Sequence, residues 1–246
     1  MARAVAGPRW SNLNAGRCMV QAVCVLVLFS LARALGLLGP PVVSAGILTL
    51  AMVVVAWRAG ASLEDLGLER ARVRAGLRYG GGAFVAVLVV LLVAAVIPGT
   101  RPLLQDTRAE IDGGRLAYEL GVTIVLLTAV PEELAFRGVL LGAGRKLWDA
   151  RRAALVSSAL FGVWHIEPTL ETMSGNSAVG GASASLGGQA LLVLGAIAVT
   201  FAAGLVFCWL RLRSRSLVAP LLAHVATNGL GLAVAWFTLH AAPLGG

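Results

Sequence analysis

The stretch Pro131 to Gly138, PEELAFRG, sits inside a segment that is otherwise apolar. From Leu116 to Ala143 the chain carries Leu, Val, Ile, Ala and Gly almost throughout, yet the second half holds Glu132, Glu133 and Arg137. A charge at the centre of a membrane helix costs about 2.5–3.5 kcal/mol on insertion scales. Three such charges facing lipid would offset much of what the apolar residues contribute, so the group must face a protein interior or a wet cavity. Glu133 and Arg137 stand at i and i+4 with the acid first, the favourable order for an ion pair along a helix. Glu132 lies about 100° round the helix from Glu133 and is free to point elsewhere. Pro131 removes a backbone donor and is expected to bend the helix just before the acids. An ion pair that only locks helices together would account for Glu133 and Arg137 but leaves Glu132 without a role.

Outward from this stretch the chain stays apolar. Its 246 residues are only 13% charged, and the mean hydropathy is +0.85. Several runs reach the roughly 20 residues that cross a bilayer. The reading is an all-α, polytopic transmembrane helical bundle of about seven spans: Cys18–Leu38, Pro41–Trp57, Tyr79–Pro98, Leu116–Ala143, Ala153–Ile166, Gln189–Leu210 and Leu217–Leu239. Arg3, Arg9 and Arg17 before the first run, with Ala32-Arg33-Ala34 near its end, also resemble a signal peptide. The run continues past Arg33, however, and is expected to be retained as a span. The lipid bilayer is the surrounding medium and the cell membrane the expected location.

The net charge of +8 does not point to nucleic acid, because the basic residues sit in short loops between apolar runs. That is the pattern of membrane orientation. The N-terminus has three Lys or Arg, and the second, fourth and sixth connections have five, four and three. The first and fifth connections and the C-terminus have none, while three in the third are balanced by Asp106, Glu110 and Asp112. This alternation predicts the N-terminus in the cytoplasm and the C-terminus outside. The connection from Arg58 to Arg78 has weak amphipathic character and could lie on the membrane surface. Glu167 to Gly188, polar and rich in Gly and Ser, reads as a flexible loop. Cys18, Cys24 and Cys208 show no paired or metal-type spacing and read as packing residues.

Other polar side chains within spans are few. Phe161 and His165 share a helix face, as do His224 and Asn228. Counted along their helices, Glu132, His165 and His224 fall roughly 12–18 Å from the cytoplasmic boundary. The fourth, fifth and seventh spans are therefore expected to converge on one buried site, open to cytoplasmic water. A carboxylate, two imidazoles and an amide in a shielded cavity are parts for hydrolysis. Glu132 can take a proton from water as general base, and His165 can hold that water or share the proton. His224 and Asn228 can donate to an oxyanion. The same groups, Glu132, His165 and His224, could instead bind a divalent metal such as Zn, so the cofactor is left open between a metal and none. Buried Glu and His also mark ion paths, which keeps a transporter or proton-coupled carrier as the alternative. Against it stands the lack of an internal repeat. His240 reads as an interfacial residue without a role.

EELAFR at Glu132 to Arg137, FGVWH at Phe161 to His165 and HVATN at His224 to Asn228 resemble the three motifs of the CPBP (CAAX protease and bacteriocin-processing, ABI) family. These are intramembrane endopeptidases, to which the eukaryotic Ras-converting CAAX endopeptidase is similar. The resemblance covers about Glu132 to Asn228. It implies that residues 116–246 form the catalytic transmembrane core and that 1–115 supply N-terminal helices and a cytoplasmic connection. It also implies that Glu132 activates water with His165, that Glu133 and Arg137 shape the site, and that His224 with Asn228 stabilises the oxyanion. The implied partner is a membrane-associated peptide or protein substrate. The family is labelled metallopeptidase, while a metal-free glutamate mechanism is also argued for it. A member that binds peptides and confers bacteriocin immunity without catalysis is a further alternative.

Overall fold

The fourth helical segment is the hub of the bundle. A computed structural model describes residues 10–100, 109–173 and 185–240. Within it the backbone stays helical from Gly113–Tyr118 through Glu119–Ala129, Val130–Glu133 and Leu134–Leu140 to Leu141–Leu147. Residues 131–144 are buried without a break. Pro131 does not end this helix. It sits in a short α-helical piece flanked on both sides by wider π-type turns, a local unwinding that recurs near functional sites.

The other segments surround this hub. They are Asn12–Ala34, Pro41–Ala59, Val73–Val96, Ala150–Trp164, Leu186–Ser214 and a last helix running through Val218–Val225, Ala226–Leu230 and Gly231–His240. No strand occurs among the described residues. Among the described residues, five segments are long and apolar enough to cross a membrane. The other two expected spans differ from these. The fourth carries its charges in a protein interior, and Ala150–Trp164 has 15 residues, about 22 Å of helix. Leu26, Met52, Phe136, Phe161 and Phe207 belong to one hydrophobic cluster, so the early helices and the later ones share a core.

Local sequence sets the ends. Pro41 opens the second helix at a position where its missing N–H costs nothing. Ser62 and Asp65 cap Leu63–Leu66 reciprocally. Gly67 follows at φ 76°, and a side chain there would strike Arg211. Arg211 itself donates through Nη2 to the carbonyls of Glu64 and Asp65 at 3.2 and 3.0 Å. Lys146 reaches Asp65 at 2.8 Å. This connection is therefore docked onto the bundle by its neighbours, with Leu66 buried. Gly80 allows the third helix to approach the last one, because an added Cβ would stand 2.9 Å from the Ala219 carbonyl.

Glu167 to Gly188 is not one loop. Ile166–Met173 is helical, and Arg33 Nε donates to Glu167 Oε1 at 2.8 Å. The sixth helix already begins at Leu186. The Gly- and Ser-rich remainder at 174–184 lies outside the described residues, as do Arg3, Arg9 and Asp106.

Candidate active site

Two consecutive acids on the central helix face different neighbours. Glu133 is fully buried, and its Oε1 accepts from Arg137 Nη1 at 2.9 Å and contacts His224 Nδ1 at 2.8 Å. Facing a guanidinium, this oxygen is a carboxylate acceptor, so Nδ1 of His224 carries a hydrogen and Nε2 is turned away from Glu133. Arg137, also fully buried, places its guanidinium carbon 4.0 Å from the Phe161 ring centroid and 5.0 Å from that of Phe207. Aromatic faces thus supply part of what water would give this cation. Phe207 also stacks on His224, with centroids 5.5 Å apart.

Glu132 turns the other way. Its Oε1 accepts from Trp164 Nε1 at 3.0 Å, while Oε2 is buried with no hydrogen-bond partner among the described residues. Oε2 lies 3.8 Å from His224 Nε2. Trp164 is held in turn between Phe29, stacked at 5.7 Å, and Phe136, edge-on at 5.9 Å.

A cavity of about 890 Å³ reaches this point, lined by Glu132, Trp164, His165 and Asn228 among others. That volume lies toward the upper end of ligand-binding pockets. His165 is half-buried on its wall, with Nδ1 2.8 Å from the Phe161 carbonyl. Asn228 is exposed to it one turn beyond His224. The Thr227 hydroxyl lies 3.5 Å from Asn228 Oδ1, which leaves the amide N–H₂ free to donate. The cavity runs toward Arg33, Ser44, Arg115 and Pro168. These residues lie at the end of the bundle opposite the Arg145–Arg152 connection, where an opening beside that connection was expected.

Glu132, Glu133, Arg137 and His224 are thus gathered into one buried group, with His165 and Asn228 on the cavity wall beside it. His224 does not line the cavity. Trp164 is the participant that sequence reasoning missed, although it stands inside FGVWH. His240 stacks on Trp236 at 4.4 Å, apart from the cavity. The residues do not fit a metal shell. Among the described residues no three His, Cys, Asp or Glu side chains are placed to hold an ion.

No curated protein and no solved structure matches the chain. One family description does, the Type II CAAX prenyl endopeptidase Rce1-like domain, over residues 116–230. That range contains all six expected site residues. Together with the long apolar helices, the match makes the chain an integral membrane protein carrying a CAAX-type protease domain. Residues 116–230 thus match the family described as Type II CAAX prenyl endopeptidase Rce1-like, which supports a place for this domain among the CAAX proteases.

Proposed function

We propose that the protein is an intramembrane endopeptidase in which Glu132 activates the water that attacks a peptide bond. The observation that carries this reading is the placement of Glu132. One oxygen is anchored by Trp164, and the other has no hydrogen-bond partner among the described residues and lies 3.8 Å from His224 Nε2. One water hydrogen-bonded to both atoms spans that gap. Glu132 takes the water's proton as oxygen attacks the carbonyl carbon. The Asn228 amide donates to the resulting oxyanion. The C–N bond then breaks, and the proton passes to the leaving nitrogen, with His165 offering Nε2 from the cavity wall.

Glu133 and Arg137 act through His224, whose tautomer and tilt they fix. Every reacting group comes from residues 116–246, while the helices of 1–115 wall the cavity through Leu48 and Leu91. The substrate is a membrane-associated peptide or protein. Incubating the purified protein with a library of membrane-anchored peptides, and reading product ends by mass spectrometry, tests the proposal. Discrete internal cleavage is expected. Peptide or proton flux across vesicles without any cleavage would favour the carrier reading.

A further inference from the structure

The first two helices carry charge of one sign only. No Asp or Glu precedes Glu64, whereas Arg17, Arg33 and Arg58 all lie within these helices. Arg33 is paired with Glu167 at one end of the bundle. At the other end a cleft of about 150 Å³ lies between the two helices, lined by Asn14, Arg17, Cys18, Gln21, Arg58 and Ala59. Two guanidiniums and two carboxamides face it, and no carboxylate lines it. Neither Arg17 nor Arg58 has an ion-pair partner among the described residues. The cleft lies across the first helix from Gly16, which faces Leu147 of the central helix. Trp10 rests on that central side too, against Gly142. With Arg17, Gln21 and Arg58 exposed, the cleft stands at the outer edge of the bundle, apart from the group around Glu132.

We infer that this cleft holds the phosphate of one anionic phospholipid, bridged by Arg17 and Arg58. Two guanidiniums at one gap repel each other, and an anion between them turns that repulsion into two charge-assisted contacts. A phosphate group fits a cleft of that volume, and the Asn14 and Gln21 amides are further donors to its oxygens. What continues from the cleft favours a lipid over free phosphate. Val54 and Ile47 share the Arg58 face of the second helix, and Leu28 shares the Gln21 face of the first. All three are exposed, so an apolar track for an acyl chain leads away from the phosphate. Trp57, exposed beside Arg58, has the placement of an aromatic at the membrane–water boundary. Basic pockets between membrane helices recognise lipid head groups in this way.

Lipid retention by the full chain purified in detergent, read by native mass spectrometry, tests the inference. The wild type is expected to keep one phosphatidylglycerol and no phosphatidylcholine. Arg17→Gln and Arg58→Gln are each expected to weaken phosphatidylglycerol retention by more than the roughly fivefold that one cation contributes through general surface attraction. Arg151→Gln removes an equal charge at the same end, from an exposed residue outside the cleft, and is expected to leave retention nearly unchanged. Both cleft arginines are exposed, so each variant is expected to keep the wild-type unfolding midpoint, which separates lost binding from lost fold. No lipid on the wild type, equal retention of phosphatidylcholine, or equal losses in all three variants overturns the inference. Glycerol phosphate binding as tightly as phosphatidylglycerol would show that the apolar track plays no part, and would overturn a lipid as the occupant.

Discussion

Arg137→Met removes a charge while keeping an unbranched apolar stem, and it leaves the Glu133 carboxylate buried beside His224 alone. Both members of the pair are fully buried, so solvent cannot take over the role of the lost guanidinium. Removing one partner of such a pair costs about 3–5 kcal/mol. The cation's contact with Phe161 at 4.0 Å adds about 2 kcal/mol when desolvated. Against a typical total stability of about 5–15 kcal/mol, that loss is severe. Adding Glu133→Gln removes the stranded charge. The double change is expected to be at least as stable as Arg137→Met alone, with a coupling of about 1–3 kcal/mol. Denaturant unfolding in detergent, followed by tryptophan fluorescence and by the monodisperse fraction, measures it. Additive losses would show that the two side chains are not coupled and would refute the network.

Trp164→Phe preserves most of the packing against Phe29 but deletes the donor to Glu132. Losing a hydrogen bond to a charged group, about 1.5–3 kcal/mol, predicts a fall in kcat of roughly 10- to 150-fold with KM little changed in steady-state kinetics. Asn228→Ala is expected to lower kcat by about 10²–10³-fold, the loss seen for one oxyanion donor, with an unchanged unfolding midpoint. Asp149 caps the fifth helix outside the membrane, and the backbone N–H groups of Arg152 and Arg151 hold its carboxyl below the ordinary aspartate range. Its contribution to stability is fully present above the unfolded value of about 3.9 and is lost as pH falls through the lower folded value. Asp149→Asn is expected to flatten that acid limb while leaving unfolding at neutral pH nearly unchanged.

Much of the site could be read from the chain because burying charge is costly. Glu133 and Arg137 in an apolar segment had to be covered and paired, and both have no exposure. The alternation of helices followed from apolar runs of sufficient length. What escaped depended on how helices rotate against one another. Trp164 next to a histidine has no one-dimensional signature of a donor to Glu132, since the fifth helix must first turn it toward the fourth. His224 was grouped with Asn228 by their i,i+4 spacing, yet packing against Phe207 turns its ring onto Glu133. Counting residues gives depth from either helix end but not the direction in which the cavity extends, which is toward Arg33, Ser44, Arg115 and Pro168. Gly and Ser were averaged over Glu167 to Gly188, although EPTLETM at its start has helical character and is held by Arg33.

The most direct test of the account is the hydrolytic rate of Glu132→Gln. The amide retains the shape of the side chain and an acceptor for Trp164 Nε1, but it cannot take a proton from water. Cleavage of a membrane-anchored peptide by the purified variant is predicted to fall by at least about 10²–10⁴-fold, with the same unfolding midpoint as the wild type. Cleavage at the wild-type rate by a folded Glu132→Gln protein would contradict the assignment of Glu132 as the base.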